Sequence, residues 1–196
     1  MVEVRSSTTV LIKGFAIIPL EDDIEAGIYI WYDSYDCTVM DNVIANFSET
    51  VSYQRNMYGI RLDGNYCKIL GNTFINDGMI VSDSYQNEIE NNVVNGKPLV
   101  YLEGNSSVTV SDAGQIILVN CNDIQVENLH LSSTSVGVEL WKTNNTRIVG
   151  NNITANTLGV VLYYSSSNSI NGNNITYNGE GVMPSRSSNN SIVGNN

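Results

Sequence analysis

Charge of either sign is scarce in this chain: Lys, Arg, Asp and Glu together make up only 15% of its 196 residues. That is not the Lys/Glu-rich profile of a helical protein. Basic residues are the scarcest, with 9 Lys and Arg against 20 Asp and Glu and a net charge of −11. No basic stripe can neutralise phosphates, which excludes nucleic acid as a partner. Long apolar runs are missing too, since no stretch of about 18 apolar residues exists to span a membrane. Met1-Val2-Glu3-Val4-Arg5 has no apolar segment of the kind a secretion signal needs. Three cysteines (Cys37, Cys67, Cys121) are too few for a dense disulfide framework. The acidity fits a secreted protein, divalent cations or plain solubility.

Asn, Ser, Thr and Gly fill the space that charge leaves. Their side chains bond nearby backbone and tolerate left-handed dihedrals, so they favour turns and short strands. They are also arranged periodically. Asn-Asn-Ile-Thr occurs at Asn151–Thr154 and again, 22 residues later, at Asn173–Thr176. Ile148, Ile170 and Ile192 precede these blocks and the final Asn195-Asn196 in one register. Units of this length cannot bury their own apolar face and must stack on their neighbours. The chain opens inside a strand-like run and its last repeat stops at Asn196, which reads as a piece of a longer protein.

Two frames recur. Ile-x-x-Asn-x-Ile is read at Val39–Ile44, Ile69–Phe74, Ile89–Val94, Ile148–Ile153 and Ile170–Ile175, with variants at Val10–Phe15 and Ile124–Leu129. Between them lies Gly-(Ile/Val/Met), at Gly27, Gly59, Gly78, Gly137, Gly159 and Gly181. Alternation with period 2 in both frames means strands with one face in and one face out. The pattern predicts an all-β fold, a right-handed parallel β-helix of about seven coils forming one domain over residues 1–196. Inward columns are Val39/Ile69/Ile89/Ile124/Ile148/Ile170/Ile192 and Ile28/Ile60/Met79/Val138/Val160/Val182.

The distance from a Gly strand to the next Asn frame stays at 9 to 11 residues, whereas the return distance runs from 5 to 16. One corner is therefore tight and the other accepts insertions. These are an acidic loop with Glu21, Asp22, Asp23 and Glu25, a loop over 47–58, and a protruding hairpin-like insertion over 95–113. Asn87, Asn122, Asn168 and Asn190 share a column with Cys37, Cys67 and Thr146. Stacked amides can bond one another and the turn backbone, so most of the Asn are structural. Cys37 and Cys67 fall in successive coils, leaving open two unlinked thiols, a disulfide or a metal pair.

From Asn168 to Asn178 the frame Asn-Ser-Ile-x-Gly-Asn-Asn-Ile-Thr-x-Asn resembles the repeats of NosD-like right-handed parallel β-helix proteins. The blocks Asn95–Leu102, Asp112–Ile116 and Val126–Leu129 are similar to recurrent blocks of the same family. The resemblance implies an extracellular, cell-surface or periplasmic location. It also implies a range of activities, among them carbohydrate-active enzymes, surface modules and a copper-delivery factor. Copper handling needs clustered thiolate, thioether or imidazole ligands. This chain offers one histidine, His130, and scattered methionines.

Counting two and four residues past each Gly places Tyr29, Trp31, Arg61, Asp63, Glu139, Trp141 and Tyr163 on the outward face. Rings interleaved with carboxylates and an Arg suit a cell-surface glycan. They equally suit a plain β-sheet surface. A catalytic reading, as a polysaccharide lyase or hydrolase, rests on Asp63, Arg61 and Asp33. No Asp pair falls on the strand face, so the balance leans away from an enzyme. No cofactor is required; Asp22 and Asp23 are the weak candidates for calcium. The leading expectation is a non-catalytic structural or interaction module that binds glycan or neighbouring subunits. Uncapped coils expose strand edges, so end-to-end self-association, as a filament or surface-layer subunit, is a further expectation.

Overall fold

The computed structural model describes residues 1–20, 24–47 and 57–196. Every regular element among them is a short strand, and parallel pairing links strands of successive coils. The fold is the right-handed parallel β-helix that the repeat predicts. The coils are divided, however, between two stacks.

The first stack has three faces. One holds the Gly strands Val2–Val4, Ala26–Ile30, Tyr58–Leu62 and Met79–Val81. The second holds Leu11–Lys13, Thr38–Met40, Lys68–Leu70 and Glu88–Glu90, and the third runs from Ala16–Ile17 to Val93–Val94. The columns Ile28/Ile60/Met79 and Val39/Ile69/Ile89 stand in register as expected. Their side chains fill one dry core with Phe47, Phe74 and both Cys37 and Cys67.

At the top of this stack the chain reverses. Val94 pairs with Lys97 and Val93 with Pro98 in antiparallel register across Asn95-Gly96. Both turn residues have positive φ, 50° and 81°. Asn-Gly is the preferred pair for a two-residue hairpin turn whose twist matches its strands. Lys97–Glu103 is therefore not half of a protruding hairpin. It pairs in parallel with Gln115–Val119, and Ser106–Val110 pairs with Asn122–Glu127. The insertion over 95–113 is corrected to the first rung of a second stack.

Reversal has a geometric consequence. A right-handed coil whose strands now run the other way along one continuous sheet must keep its interior on the opposite side of that sheet. The side chains obey this. Ile116 and Leu118 enter the second core, while Ile117 and Val119 point back and join the first. The sheet thus closes over the top of the first stack and continues down the outer face of its Gly strands. There Tyr29, Tyr58 and Ile80 pack with Val136, Leu158 and Val161.

Two register expectations shift by two residues. Val126, not Ile124, stands in the column of Ile148, Ile170 and Ile192. Ile12, not Val10, pairs with Val39. At Val10 the reason is that a rung that begins a stack has nothing beneath it; Ile124 stands on Val108 of the rung before. In later rungs the frame Asn reaches back, so Asn42 accepts from the Phe15 N–H and Asn151 from the Leu129 N–H. Phe15 occupies a place where an Asn would find no earlier rung to bond.

Asn ladders form as expected in the column of Thr146, Asn168 and Asn190 and of Cys67 and Asn87. Asn122 lies outside it, paired with Asn144, and the frame Asn residues build further ladders. Asn72 donates to the Val39 carbonyl at 2.9 Å and to Asn92 at 3.0 Å, and Asn42 donates to Asn72 at 3.0 Å. Asn151, Asn173 and Asn195 repeat the arrangement in the second stack. The three cysteines are free and buried, which resolves Cys37 and Cys67 as unlinked thiols.

Candidate functional site

The seven residues expected on an outward platform do come together, but as a junction between the two stacks. Tyr29 is 4% exposed, Asp63 8%, Trp141 7% and Glu139 0%. The exposed glycan face is thereby corrected: the outer faces of the two sets of Gly strands cover each other. Trp31, Arg61 and Tyr163 stay half-buried at the rim.

Asp63 is the polar centre of the junction. The Tyr29 hydroxyl donates to it at 2.8 Å, and Arg61 donates through Nε at 3.2 Å and Nη2 at 3.0 Å. Arg61 also pairs with Glu25 through its other terminal nitrogen. Its guanidinium lies 4.6 Å from the centre of the Tyr29 ring, which in turn stacks on Trp31 at 4.4 Å. Arg5 covers the Trp31 ring at 3.9 Å. Burial, with the hydrogen bond to Asp63, pushes the Tyr29 hydroxyl up from its ordinary pKa. On the other side, Trp141 packs on Tyr163 at 5.2 Å and donates to the Tyr85 hydroxyl at 2.7 Å.

Sequence reasoning missed the residues that seal the junction. Met79–Val81 is the edge of its sheet, and side chains rather than another strand satisfy its backbone. Gln115 accepts from the Met79 N–H at 3.0 Å and donates to the Met79 carbonyl at 2.6 Å. Ser135 accepts from the Gly78 N–H, and Glu139 Oε2 from the Val81 N–H, both at 3.1 Å. A signal was present in the sequence: Ile116-Ile117-Leu118-Val119 and Val160-Val161-Leu162 are continuous apolar runs, the mark of parallel strands buried on both faces. Asn95-Gly96 was the accompanying signal for reversal.

Among the described residues, Glu139 Oε1 has no partner. Burial holds the Glu139 carboxyl well above the usual carboxylate range, and the nearby Asp63 charge adds to this. A carboxyl that keeps its proton in the fold and loses it on unfolding stabilises most below its unfolded value. That stability is lost as pH rises toward the folded value, by about 1.4 kcal/mol per pH unit for one proton. Glu139→Gln is expected to flatten this decline in urea unfolding between about pH 5 and about pH 8. An unchanged slope would show that Glu139 is not its source.

Of the catalytic candidates, Arg61 and Asp63 come together and Asp33 stands apart. Asp33 lies in an exposed turn, where Ser6 donates to it through backbone and hydroxyl and lowers its pKa. Asp63 is engaged as described, with Arg61 as its counter-charge. Asp22 and Asp23 lie outside the described residues.

This geometry defines a parallel β-helix repeat protein with Asn ladders. Its repeats are NosD-like: residues 100–196, just under half of the chain, match the family described as periplasmic copper-binding protein (NosD). A search of curated proteins finds no match. Among solved structures, the chain is similar to the A-module of mannuronan C-5 epimerase AlgE6 from Azotobacter vinelandii. That likeness has 17% identity, a TM-score of 0.37, and covers 98% of this chain and 57% of the epimerase chain. Another is the enzymatically active domain of tailspike protein 2 from bacteriophage CBA120. There identity is 12%, the TM-score 0.36, and coverage 96% of this chain and 38% of the tailspike chain. Both are likenesses of fold, and the chain spans less than two thirds of either protein.

The residues present do not fit the copper of the family description. Cys37 and Cys67 are buried, and their thiols donate to the Tyr35 and Asn65 carbonyls. Burial pushes the Cys67 thiol up to about 12, so it is a poor source of thiolate. His130 is exposed on the second stack, in contact with Asn152 and Ser132 rather than with a cysteine. Among the described residues, no group of three His, Cys, Asp or Glu side chains is placed to hold a metal ion.

Proposed function

We propose that this protein is a non-catalytic structural and interaction module of an extracellular or periplasmic β-helix protein. One observation carries this reading: the two carboxylates of the expected face, Asp63 and Glu139, are already in use. Asp63 is taken up by Tyr29 and Arg61, and Glu139 is sealed in the junction. Glycosidic cleavage needs two carboxyl groups that flank a sugar bond and can reach it. Incubation with neutral and acidic polysaccharides is expected to release neither reducing ends nor unsaturated products. Release that disappears in Asp63→Asn would replace this proposal with the polysaccharide lyase or hydrolase.

A glycan remains the favoured small partner, now at the rim of the junction. Trp31, Arg61 and Tyr163 are half-buried there. Aromatic rings beside a charged group suit the two faces of a sugar. On a glycan array, Trp31→Ala is expected to weaken binding at least tenfold. Equal binding by the variant would remove the rim from consideration.

A further inference from the structure

We infer that the seam between the two stacks, along their tight corners, binds an uncharged polysaccharide as an extended chain. The inference rests on the glycan reading of the rim and names the form of the ligand, a polymer longer than the rim alone can hold.

The rim does not end at Trp31 and Tyr163. Both pack against the junction cluster, and the rings continue from there. Tyr163 packs on Trp141 at 5.2 Å, and Trp141 meets Tyr164 edge-on at 5.9 Å. The Trp141 indole then donates to the Tyr85 hydroxyl at 2.7 Å. Trp31 and Tyr85 follow Gly strands two rungs apart, Ala26–Ile30 and Met79–Val81. The series therefore extends over about 10 Å along the stack axis, which exceeds one sugar ring. Rings set at rung spacing on a rigid corner suit the repeating faces of a linear glycan better than the irregular surface of a folded protein.

Tyr164 is the member that local conformation does not explain. Its φ is 49°, a left-handed conformation that a bulky side chain adopts at a cost and Asn accepts readily. Asn120 fills the same column at φ 51°. Tyr164 is 41% exposed although rungs stand on both sides of it, through Lys142 and Ser185. Neither turn chemistry nor core packing asks for tyrosine there, whereas a ligand on its open side does.

Charges along the seam are matched. Lys142 lies 4.9 Å over Tyr85 and 3.8 Å from Asp83, and Arg61 is held by Asp63 and Glu25. Arg186 lies 5.2 Å from the centre of the Tyr164 ring and donates to its hydroxyl. These groups offer donors and acceptors to sugar hydroxyls. They leave no surplus of positive charge for a polyanion, which the net charge of −11 repels.

The test follows tryptophan emission, since Trp31 and Trp141 both lie on the seam, while neutral glucan, mannan and xylan oligosaccharides of increasing length are added. Affinity is expected to rise at least tenfold from disaccharide to hexasaccharide. Tyr164→Asn should lower hexasaccharide affinity about tenfold and leave disaccharide binding at the rim unaffected. Its urea midpoint should hold or rise, because Asn suits positive φ. Tyr177→Asn is the control: Tyr177 is 91% exposed at φ 57° on a different corner, and its replacement should change no affinity. Equal affinity for both lengths, an unaffected hexasaccharide in Tyr164→Asn, or an equal loss in Tyr177→Asn would each overturn the seam and leave the rim standing. Tighter binding of polygalacturonate than of any neutral chain would overturn the uncharged ligand. No binding of any sugar would overturn the glycan reading itself, and the seam with it.

Discussion

Gly78→Val is expected to part the two stacks and to cost about 3 kcal/mol, the upper end of what overpacking does in a closed interior. A Cβ at this position would lie 2.2 Å from Thr134 Oγ1 and 2.4 Å from Gln115 Oε1. Neither atom can yield easily. Thr134 is β-branched and fully buried, and the Gln115 amide is held by both its bonds to Met79. The chain has two tryptophans, Trp31 and Trp141, and both sit at the junction. Their emission therefore reports on it, and a shift to longer wavelength should accompany the loss of stability. Gly181→Ala is the control, since its Cβ would meet only Ile175 Cγ2 at 3.7 Å. That change should stay within about 0.5 kcal/mol. A Gly78→Val protein with native emission and an unshifted urea midpoint would contradict the two-stack packing.

Asn72→Leu is expected to be at least as damaging. Asn72 is fully buried and accepts from the Asn42 N–H at 3.1 Å and its amide at 3.0 Å, while donating to the Val39 carbonyl at 2.9 Å. Leucine leaves those groups without partners in a dry interior. At roughly 1–3 kcal/mol for each unmet group, the loss should reach about 4 kcal/mol. Asn174→Ala makes the contrast. It belongs to the same Asn-Asn-Ile-Thr block as the buried Asn173 but lies on the surface, its side chain donating to Asn152 at 2.7 Å. Its effect should stay within about 0.5 kcal/mol. Urea midpoints of the two variants measure both; similar values would show that the ladders do not carry the load assigned to them.

Much of the fold was legible because stacking repeats the same local demand every rung. Ile28, Ile60 and Met79 are inward because period 2 in a strand leaves only two faces, and the neighbouring rung repeats the choice. The loss of register at Val10 has a local cause as well. That frame begins a stack, and a beginning rung lacks the earlier rung that makes an Asn useful.

The site was half legible. Tyr29, Arg61, Asp63, Glu139 and Trp141 were grouped correctly because they share a place in the repeat. Their environment was not, since a strand pattern tells in from out only for its own coil. Whether the outward face meets water or a second outward face depends on where another part of the chain lies.

Periodicity and side-chain size thus set the coil, its aliphatic rows and its amide ladders, all contacts between residues about one rung apart. The division into two stacks, the burial of Asp63 and Glu139 and the closed top of the first stack came only with the folded chain. They follow from a single reversal at Asn95-Gly96, which turns one coil's exterior into another's lid, and no pattern confined to one repeat encodes contacts between exteriors.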